Sequence, residues 1–174
     1  MGLPDNEFLG KSEAASIFYH DIFDYPLNAK EIIKWRVGKK GSKLFTKTKE
    51  ILNIGGFYCL RGKESLLYKR ALRERASNRK IEIAKKNASF LAKFPTIKGV
   101  FITGALAMNN AKEESDIDLM IITKRSYLWL TRLLVYFVLR IMNSAVRRPG
   151  DINQKDKLCL NIWLDESALS WDKK

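Results

Sequence analysis

Two carboxylates, Asp116 and Asp118, lie two positions apart at the start of an apolar run that ends near Thr123. Side chains on a β-strand alternate between the two faces of the sheet, so both carboxylates are expected on one face. Adjacent carboxylates repel each other unless a cation lies between them. Mg²⁺ prefers such oxygen ligands, often together with substrate phosphates. The spacing therefore predicts a divalent metal site formed by Asp116 and Asp118.

A glycine turn comes shortly before this carboxylate pair. Gly104 and Ala105 follow an apolar run and open a short predicted helix. Backbone N–H groups at such a turn are suited to phosphate. The glycine turn and the carboxylate pair together predict a binding site for a metal–nucleotide complex.

The elements that must position these residues follow from the apolar pattern of the second half of the chain. Residues 97–103, 117–123 and 158–164 are predicted strands, and residues 104–111 form a short helix. Ser126 is expected to cap a long buried helix that continues to residue 146. The second half is therefore predicted to be an α/β domain with a short mixed sheet.

The first third of the chain has a different pattern, in which capped helices precede two short strands. Residues 12–23, 29–37 and 42–53 are predicted helices, and residues 57–60 and 65–68 are predicted strands of a hairpin. Three helices followed by a hairpin is the order of a winged helix-turn-helix, whose third helix can enter the major groove of DNA. Because winged helices also dock proteins or act as spacers, a protein partner stays open.

The positive charge of the chain is concentrated in its middle. The net charge is +13, and residues 30–98 carry 20 Lys and Arg against 5 Asp and Glu. A charge footprint confined to one module points to nucleic acid, while a solvated basic surface is the alternative. The residues predicted to contact nucleic acid are Lys39, Lys40, Lys43, Lys47, Arg61 and Lys63.

A long basic helix over residues 68–92 is predicted to connect the two parts of this α+β chain. It either extends the positive surface or is a solvated helix that packs on one side. The domain organisation is therefore predicted as a winged helix-turn-helix over 1–68, a connecting helix over 69–94 and an α/β domain over 95–174.

The cysteines, the single histidine and the apolar stretch of the second half argue against several kinds of active site and against a membrane location. Cys59 and Cys159 belong to no CxxC motif, which is typical of a cytoplasmic protein, and both are predicted to be buried. The apolar stretch over 127–142 is shorter than the roughly 20 residues that span a bilayer, so no membrane association is expected. His20 is the only histidine and is predicted to be structural. The aromatic residues predicted for the core are Trp129, Tyr136 and Phe137.

The segment from Gly104 to Leu119 resembles the signature of the DNA polymerase β-like nucleotidyltransferase superfamily, in its MNT-type form. Glycine and a small residue, about ten positions, and Asp-apolar-Asp-apolar at a strand start make up that signature. The resemblance implies that Asp116 and Asp118 are catalytic and hold Mg²⁺ or Mn²⁺. It also implies a nucleoside triphosphate substrate, whose phosphates would contact Thr103, Gly104, Ala105 and Lys112.

The sequence departs from the family pattern at two positions. Ala105 stands where serine is common, and Asn161 is expected where the family places a third carboxylate on a later strand. Asn161 would then be a weak metal ligand, since its carbonyl oxygen carries no charge. Two functions stay open. One is transfer of a nucleoside monophosphate to an acceptor hydroxyl on nucleic acid or protein. The other is a non-catalytic DNA-binding regulator or antitoxin-like protein with a degenerate nucleotide-binding domain.

Overall fold

The computed structural model describes residues 9–36, 45–46, 49–142 and 144–169. The chain divides into two compact units, Met1–Ala71 and Leu72–Lys174. None of the described helices is long and apolar enough to cross a membrane.

The first unit consists of short strands and two helices. A two-stranded sheet pairs β1 with β3, and a three-stranded antiparallel sheet has the order β2-β5-β4. Its elements are β1 (Leu9–Gly10), α1 (Lys11–Asp21), β2 (Leu27–Asn28), α2 (Ala29–Trp35), β3 (Phe45–Thr46), β4 (Ile51–Ile54) and β5 (Phe57–Leu60).

Both predicted N-terminal helices are present, and the second begins as the sequence indicates. Asn28 accepts a hydrogen bond from the Glu31 N–H, while the Glu31 carboxylate accepts one from the Asn28 N–H. These reciprocal bonds satisfy N–H groups at the start of α2 that have no partner within the helix. Helix α1 begins at Lys11, one residue before the predicted start, and its N-cap residue is Gly10.

The prediction of a third helix over 42–53 is wrong for its described residues. Phe45–Thr46 and Ile51–Ile54 are strands, and residues 37–44, 47 and 48 lie outside the described part. Ile51–Ile54 pairs with Phe57–Leu60 around Gly55 and Gly56, which both have positive φ. This cross-strand pairing overrides the local helical pattern and satisfies the backbone hydrogen bonds.

The predicted hairpin is displaced along the chain for the same reason. Residues 65–68 are the first turn of the long helix α3 (Ser65–Leu91), not a strand. Arg61 and Lys63 therefore lie in the turn between β5 and α3, and both are exposed.

The second unit contains most of α3 and a three-stranded sheet of order β6-β7-β8. Strand β7 is antiparallel to β6 and parallel to β8, so this is a short mixed sheet. A core of aliphatic side chains, including Leu91, Leu119 and Val135, forms the interior. The further elements are β6 (Ile97–Ile102), α4 (Gly104–Ala107), β7 (Ile117–Thr123), α5 (Leu128–Ile141) and β8 (Leu158–Asp165).

The helix α5 is not fully buried, contrary to the prediction. Thr131, Val135 and Leu139 are buried, and their spacing of four residues defines one stripe along the helix. Trp129 and Phe137 are instead 76% and 60% exposed, so their assignment to the core is wrong. A helix packed on a small sheet buries one stripe, and its remaining apolar residues stay outside the core.

Two basic residues of α3 lie in the interior instead of extending a positive surface. Arg70 is 4% exposed and Lys80 is fully buried. Buried charges are tolerated where carboxylates and carbonyl oxygens accept their hydrogen bonds. His20 is also buried, with Nδ1 2.8 Å from the Ser16 carbonyl oxygen, in agreement with a structural role.

Candidate active site

The carboxylates of Asp116 and Asp118 lie on one face at the start of β7. Ile117 and Leu119 are fully buried on the opposite face, whereas both aspartates are half-buried. Strand alternation therefore places the two carboxylates side by side, as the sequence predicts.

Gly104 packs directly against Asp118. Gly104 has φ +63°, and a Cβ atom added there would lie 2.5 Å from Asp118 Oδ2. The adjacent Thr103 N–H donates to the Asp118 carbonyl oxygen at 3.0 Å. Only glycine fits both this backbone conformation and this close approach. The turn before α4 is thus joined to the strand that carries the acidic pair.

Cys159 is the third group at this site, and the sequence did not indicate it. Parallel pairing sets Cys159 of β8 opposite Asp118 of β7. One ligand atom each from Asp116, Asp118 and Cys159 lie within 4.8 Å of one another. The prediction that Cys159 is a buried apolar group is wrong, because its thiol is half-buried and hydrogen-bonds to Asp118.

Asn161 also contacts Asp118, although it does so as a donor. The register of β7 and β8 shifts between Asp118 and Met120, and Asn161 lies in that irregular stretch. Its Nδ2 donates to Asp118 Oδ1 at 3.2 Å. Because the amide nitrogen faces the carboxylate, metal ligation by the Asn161 oxygen would require the amide to turn, and it stays a prediction.

Arg147 occupies the outer edge of the acidic pair. Its Nη1 donates to Asp116 Oδ2 at 2.7 Å and lies 3.8 Å from Cys159 Sγ. The Arg147 side chain is 40% exposed, against 11% for that of Asp116. The positively charged guanidinium of Arg147 therefore lies between Asp116 and Cys159, two of the three potential metal ligands.

The electrostatic surroundings raise the pKa of two groups at the site. Burial, and then the negative charge of Asp116, raise the pKa of Asp118 above its usual value. Burial together with both aspartate charges raises the pKa of the Cys159 thiol to about 11. The site thus carries excess negative charge for its degree of burial, which a divalent cation would compensate.

A cavity of about 340 Å³ lies beside Cys159 and Asn161 of β8 and beside Arg147. Arg132 of α5 and the Arg147–Arg148 pair give it a basic lining, to which Asp151, Cys159 and Asn161 also contribute. Guanidinium groups bind phosphate oxygens well because their N–H groups match phosphate geometry. Nothing in the spacing of residues 147–150 along the sequence indicates that they line this site.

Lys80 holds the loop that leads into β7. Its buried Nζ donates to the carbonyl oxygens of Glu113 and Ser115 at 3.0 and 2.7 Å, and to Asp156 Oδ1 at 2.7 Å. The Asp156 N–H in turn donates to the Ser115 carbonyl at 3.2 Å. Lys80 therefore links the segments that enter β7 and β8, the two strands that carry the site.

Four other predicted site residues that the structure describes are exposed. Ala105 is exposed on α4, and Lys112 is exposed in the loop that precedes β7. Lys63 forms an ion pair with Asp21 at 2.6 Å, and Arg61 Nε donates to the Lys49 carbonyl. The predicted nucleic-acid contacts Lys39, Lys40, Lys43 and Lys47 lie outside the described residues.

Residues 85–162 match the family model described as Polymerase beta, Nucleotidyltransferase. The matched segment contains Gly104, both aspartates, Arg147 and Cys159. It supports a polymerase β-like nucleotidyltransferase domain and, in general terms, a nucleotidyltransferase-type function that acts on a nucleotide. A comparison with curated proteins gave no match, and a comparison with solved structures gave none either.

Proposed function

We propose that this protein is a metal-dependent nucleotidyltransferase that moves a nucleoside monophosphate from a nucleoside triphosphate to an acceptor hydroxyl. The observation that carries the proposal is the close packing of Gly104 on Asp118 within the segment that matches the family. This contact joins the turn that opens α4 to the carboxylate pair. This proximity supports a single site for the metal and for the phosphates of a nucleotide.

The residues fit a divalent cation, because two carboxylates and a thiol converge and their charge is only partly compensated. A cation held by Asp116 and Asp118 would neutralise triphosphate charge and help align the reacting groups. Thr103, Gly104 and Ala105 are proposed to bind the β- and γ-phosphates, and Lys112 to assist. The acceptor hydroxyl releases its proton to water, and its oxygen forms a bond to the α-phosphorus as the bond from that phosphorus to the α–β bridging oxygen breaks and pyrophosphate leaves.

Arg147 is proposed to exchange partners when the triphosphate binds. Its guanidinium bonds to Asp116 through one N–H and is partly exposed, so little holds it there. Phosphate oxygens would offer Arg147, Arg148 and Arg132 a stronger acceptor set. The acceptor, on nucleic acid or protein, would enter from the cavity that these arginines line.

The first unit is proposed to be a winged-helix module that binds nucleic acid. Two features support this proposal. The chain forms α1, β2 and α2 in that order, and the β4–β5 hairpin that follows joins β2 in one sheet. The lysine-rich residues 37–48 lie between α2 and that hairpin. Their positive charge suits contacts to phosphates of the nucleic acid backbone.

The experiment that tests the proposed function is nucleotide transfer from α-labelled ATP, GTP, CTP or UTP, with Mg²⁺ or Mn²⁺. The protein itself, tRNA and cell extract are tested as acceptors. Asp116→Asn and Asp118→Asn should each lower transfer at least about a hundredfold, because each removes a charged metal ligand. Their thermal unfolding should stay near that of the wild type. Glu114→Gln neutralises an exposed carboxylate in the preceding loop and serves as the control.

A second candidate function is a non-catalytic DNA-binding regulator with a degenerate nucleotide-binding domain. The observation that favours it is Asn161, an uncharged amide whose nitrogen donates to Asp118, at the position where a third carboxylate is expected. Transfer that is absent with every nucleotide and acceptor, together with DNA binding by the full chain, would establish this alternative. Transfer that survives both aspartate substitutions would contradict the assigned site.

A further inference from the structure

The donor set of the acidic site is unusual for a magnesium enzyme. Among the described residues, the only cluster with metal-ligand spacing consists of Asp116, Asp118 and Cys159. Its two carboxylate oxygens are hard ligands, and its sulfur is a soft one. Mg²⁺ binds through oxygen and keeps several waters, whereas Zn²⁺ and Co²⁺ accept thiolate, carboxylate and water together.

The position of Cys159 is fixed by the fold and not by a flexible loop. Its backbone is paired in register with Asp118 in the parallel ladder between β7 and β8. The neighbouring residues Leu158 and Leu160 are buried in the core, which directs the Cys159 side chain to the opposite face. The thiol is therefore held on the same face as the two carboxylates.

Arg147 provides a second indication that a cation belongs in this cluster. Its guanidinium already reaches from Asp116 to Cys159, at 2.7 and 3.8 Å. Because the Arg147 side chain is 40% exposed and makes one bond to Asp116, an entering metal ion can displace it. The three ligand atoms then lie close enough to converge on one ion.

We propose that Asp116, Asp118 and Cys159 together bind a thiophilic divalent cation, such as Zn²⁺ or Co²⁺, in preference to Mg²⁺. The inference rests on the proposed function in that it concerns the metal of the same site. Three protein ligands leave a further coordination position open, as in catalytic zinc sites. A triphosphate oxygen of the proposed substrate would be a suitable ligand at that position.

The first measurement is the absorption spectrum of the full chain titrated with Co²⁺. A thiolate ligand produces a sulfur-to-cobalt charge-transfer band in the near ultraviolet, which two carboxylates alone do not produce. The band should be present in the wild type and lost in Cys159→Ser and Cys159→Ala. Cys59→Ser should keep the band, because Cys59 is buried in the first unit and outside the cluster. Thermal unfolding of each variant checks that it is folded.

The second measurement is the affinity for Zn²⁺ and Mg²⁺, by competition with a chelating dye and by calorimetry. Cys159→Ser should weaken Zn²⁺ binding by roughly tenfold or more and leave Mg²⁺ binding unchanged. Cys159→Asp supplies a third carboxylate and should strengthen Mg²⁺ binding while it weakens Zn²⁺ binding. This opposite response separates ligation by sulfur from a general effect on the site.

The outcomes distinguish this inference from the proposed function. Co²⁺ that binds without a sulfur band, with equal Zn²⁺ affinity in Cys159→Ser, overturns the thiol ligand. Nucleotide transfer supported by Mg²⁺ in the same preparation would then leave the proposed function standing. A wild-type chain that binds none of these cations overturns both the thiol ligand and the metal-dependent mechanism.

Discussion

Two arginine–carboxylate pairs, one in each unit, use the same chemistry in opposite surroundings. Arg70 in the first unit donates two hydrogen bonds to the two oxygens of Glu31, at 2.8 and 2.9 Å. Its guanidinium lies over the rings of Tyr25 and Phe57 and also donates to the Pro26 carbonyl oxygen. Arg147 in the second unit donates one bond to Asp116 and is far more exposed.

The pKa values of the carboxylates reflect this difference. Burial alone would raise the pKa of Glu31, but hydrogen bonds from Arg70 and the Asn28 N–H outweigh it and lower the pKa. At Asp118, burial and the charge of Asp116 outweigh the contributions of Cys159 and Arg147, so its pKa is raised. A fully satisfied ion pair stabilises the fold, whereas incompletely compensated carboxylates retain the capacity to bind a cation.

The largest difference in stability is expected between the variants that remove the two arginines. Arg70→Met should destabilise the first unit by about 3 kcal/mol, because it leaves a partly buried carboxylate without its partner. Arg147→Met should change stability by less than about 1 kcal/mol, as for most exposed ion pairs. Chemical denaturation of both variants beside the wild type measures the two effects. Equal losses would show that Arg147 is as structural as Arg70.

A smaller effect on stability is expected at the glycine that packs on Asp118. Gly104→Ala places a Cβ 2.5 Å from the Asp118 carboxylate and holds alanine at φ +63°. Gly150 has φ +86°, and a Cβ atom added there would have no atom within 4 Å. Gly150→Ala therefore introduces the backbone strain without a steric clash. We expect Gly104→Ala to be less stable than Gly150→Ala by about 1 kcal/mol. Thermal unfolding of the two variants compares them, and equal stability would show that Asp118 moves aside freely.

The smallest and most gradual effect is the pH dependence of the first unit. Because folding lowers the pKa of Glu31, its contribution to stability is complete above its ordinary pKa of 4.5 and is lost as pH falls through the folded value. Asp118 acts in the opposite sense, since its raised pKa makes its charged form a cost that acidification relieves. The protection factors of residues 27–35, which are exchange rates corrected for the intrinsic amide rate at each pH, should fall as the pH is lowered from about 6 to 3.

The matched variant for this acid response is Glu31→Gln. It cannot ionise, so the protection factors of residues 27–35 should be lower throughout and should lose most of their dependence on pH. An acid response that stays the same in Glu31→Gln would assign the effect to another carboxylate.

Local rules of the backbone explain which parts of the fold could be predicted. The capping box at Asn28, the strand over Ile117–Thr123 and the alternation that pairs Asp116 with Asp118 depend on residues close in sequence. The helix predicted over residues 42–53 failed because Ile51–Ile54 pairs with a second strand across a glycine turn. Whether this segment forms a helix or a hairpin depends on its pairing with the second strand. The helical spacing of its apolar residues carries no information about that pairing.

The sequence by itself determined the acidic pair, the glycine turn and the three strands of the second unit, because each follows from the spacing or the apolar pattern of neighbouring residues. Tertiary structure alone decided that Cys159 joins the pair. The register of two parallel strands, separated by a long crossover, sets which residue of β8 faces Asp118. Tertiary structure also decided that Lys80 and Arg70 are interior cations, since burial depends on acceptors supplied by distant parts of the chain.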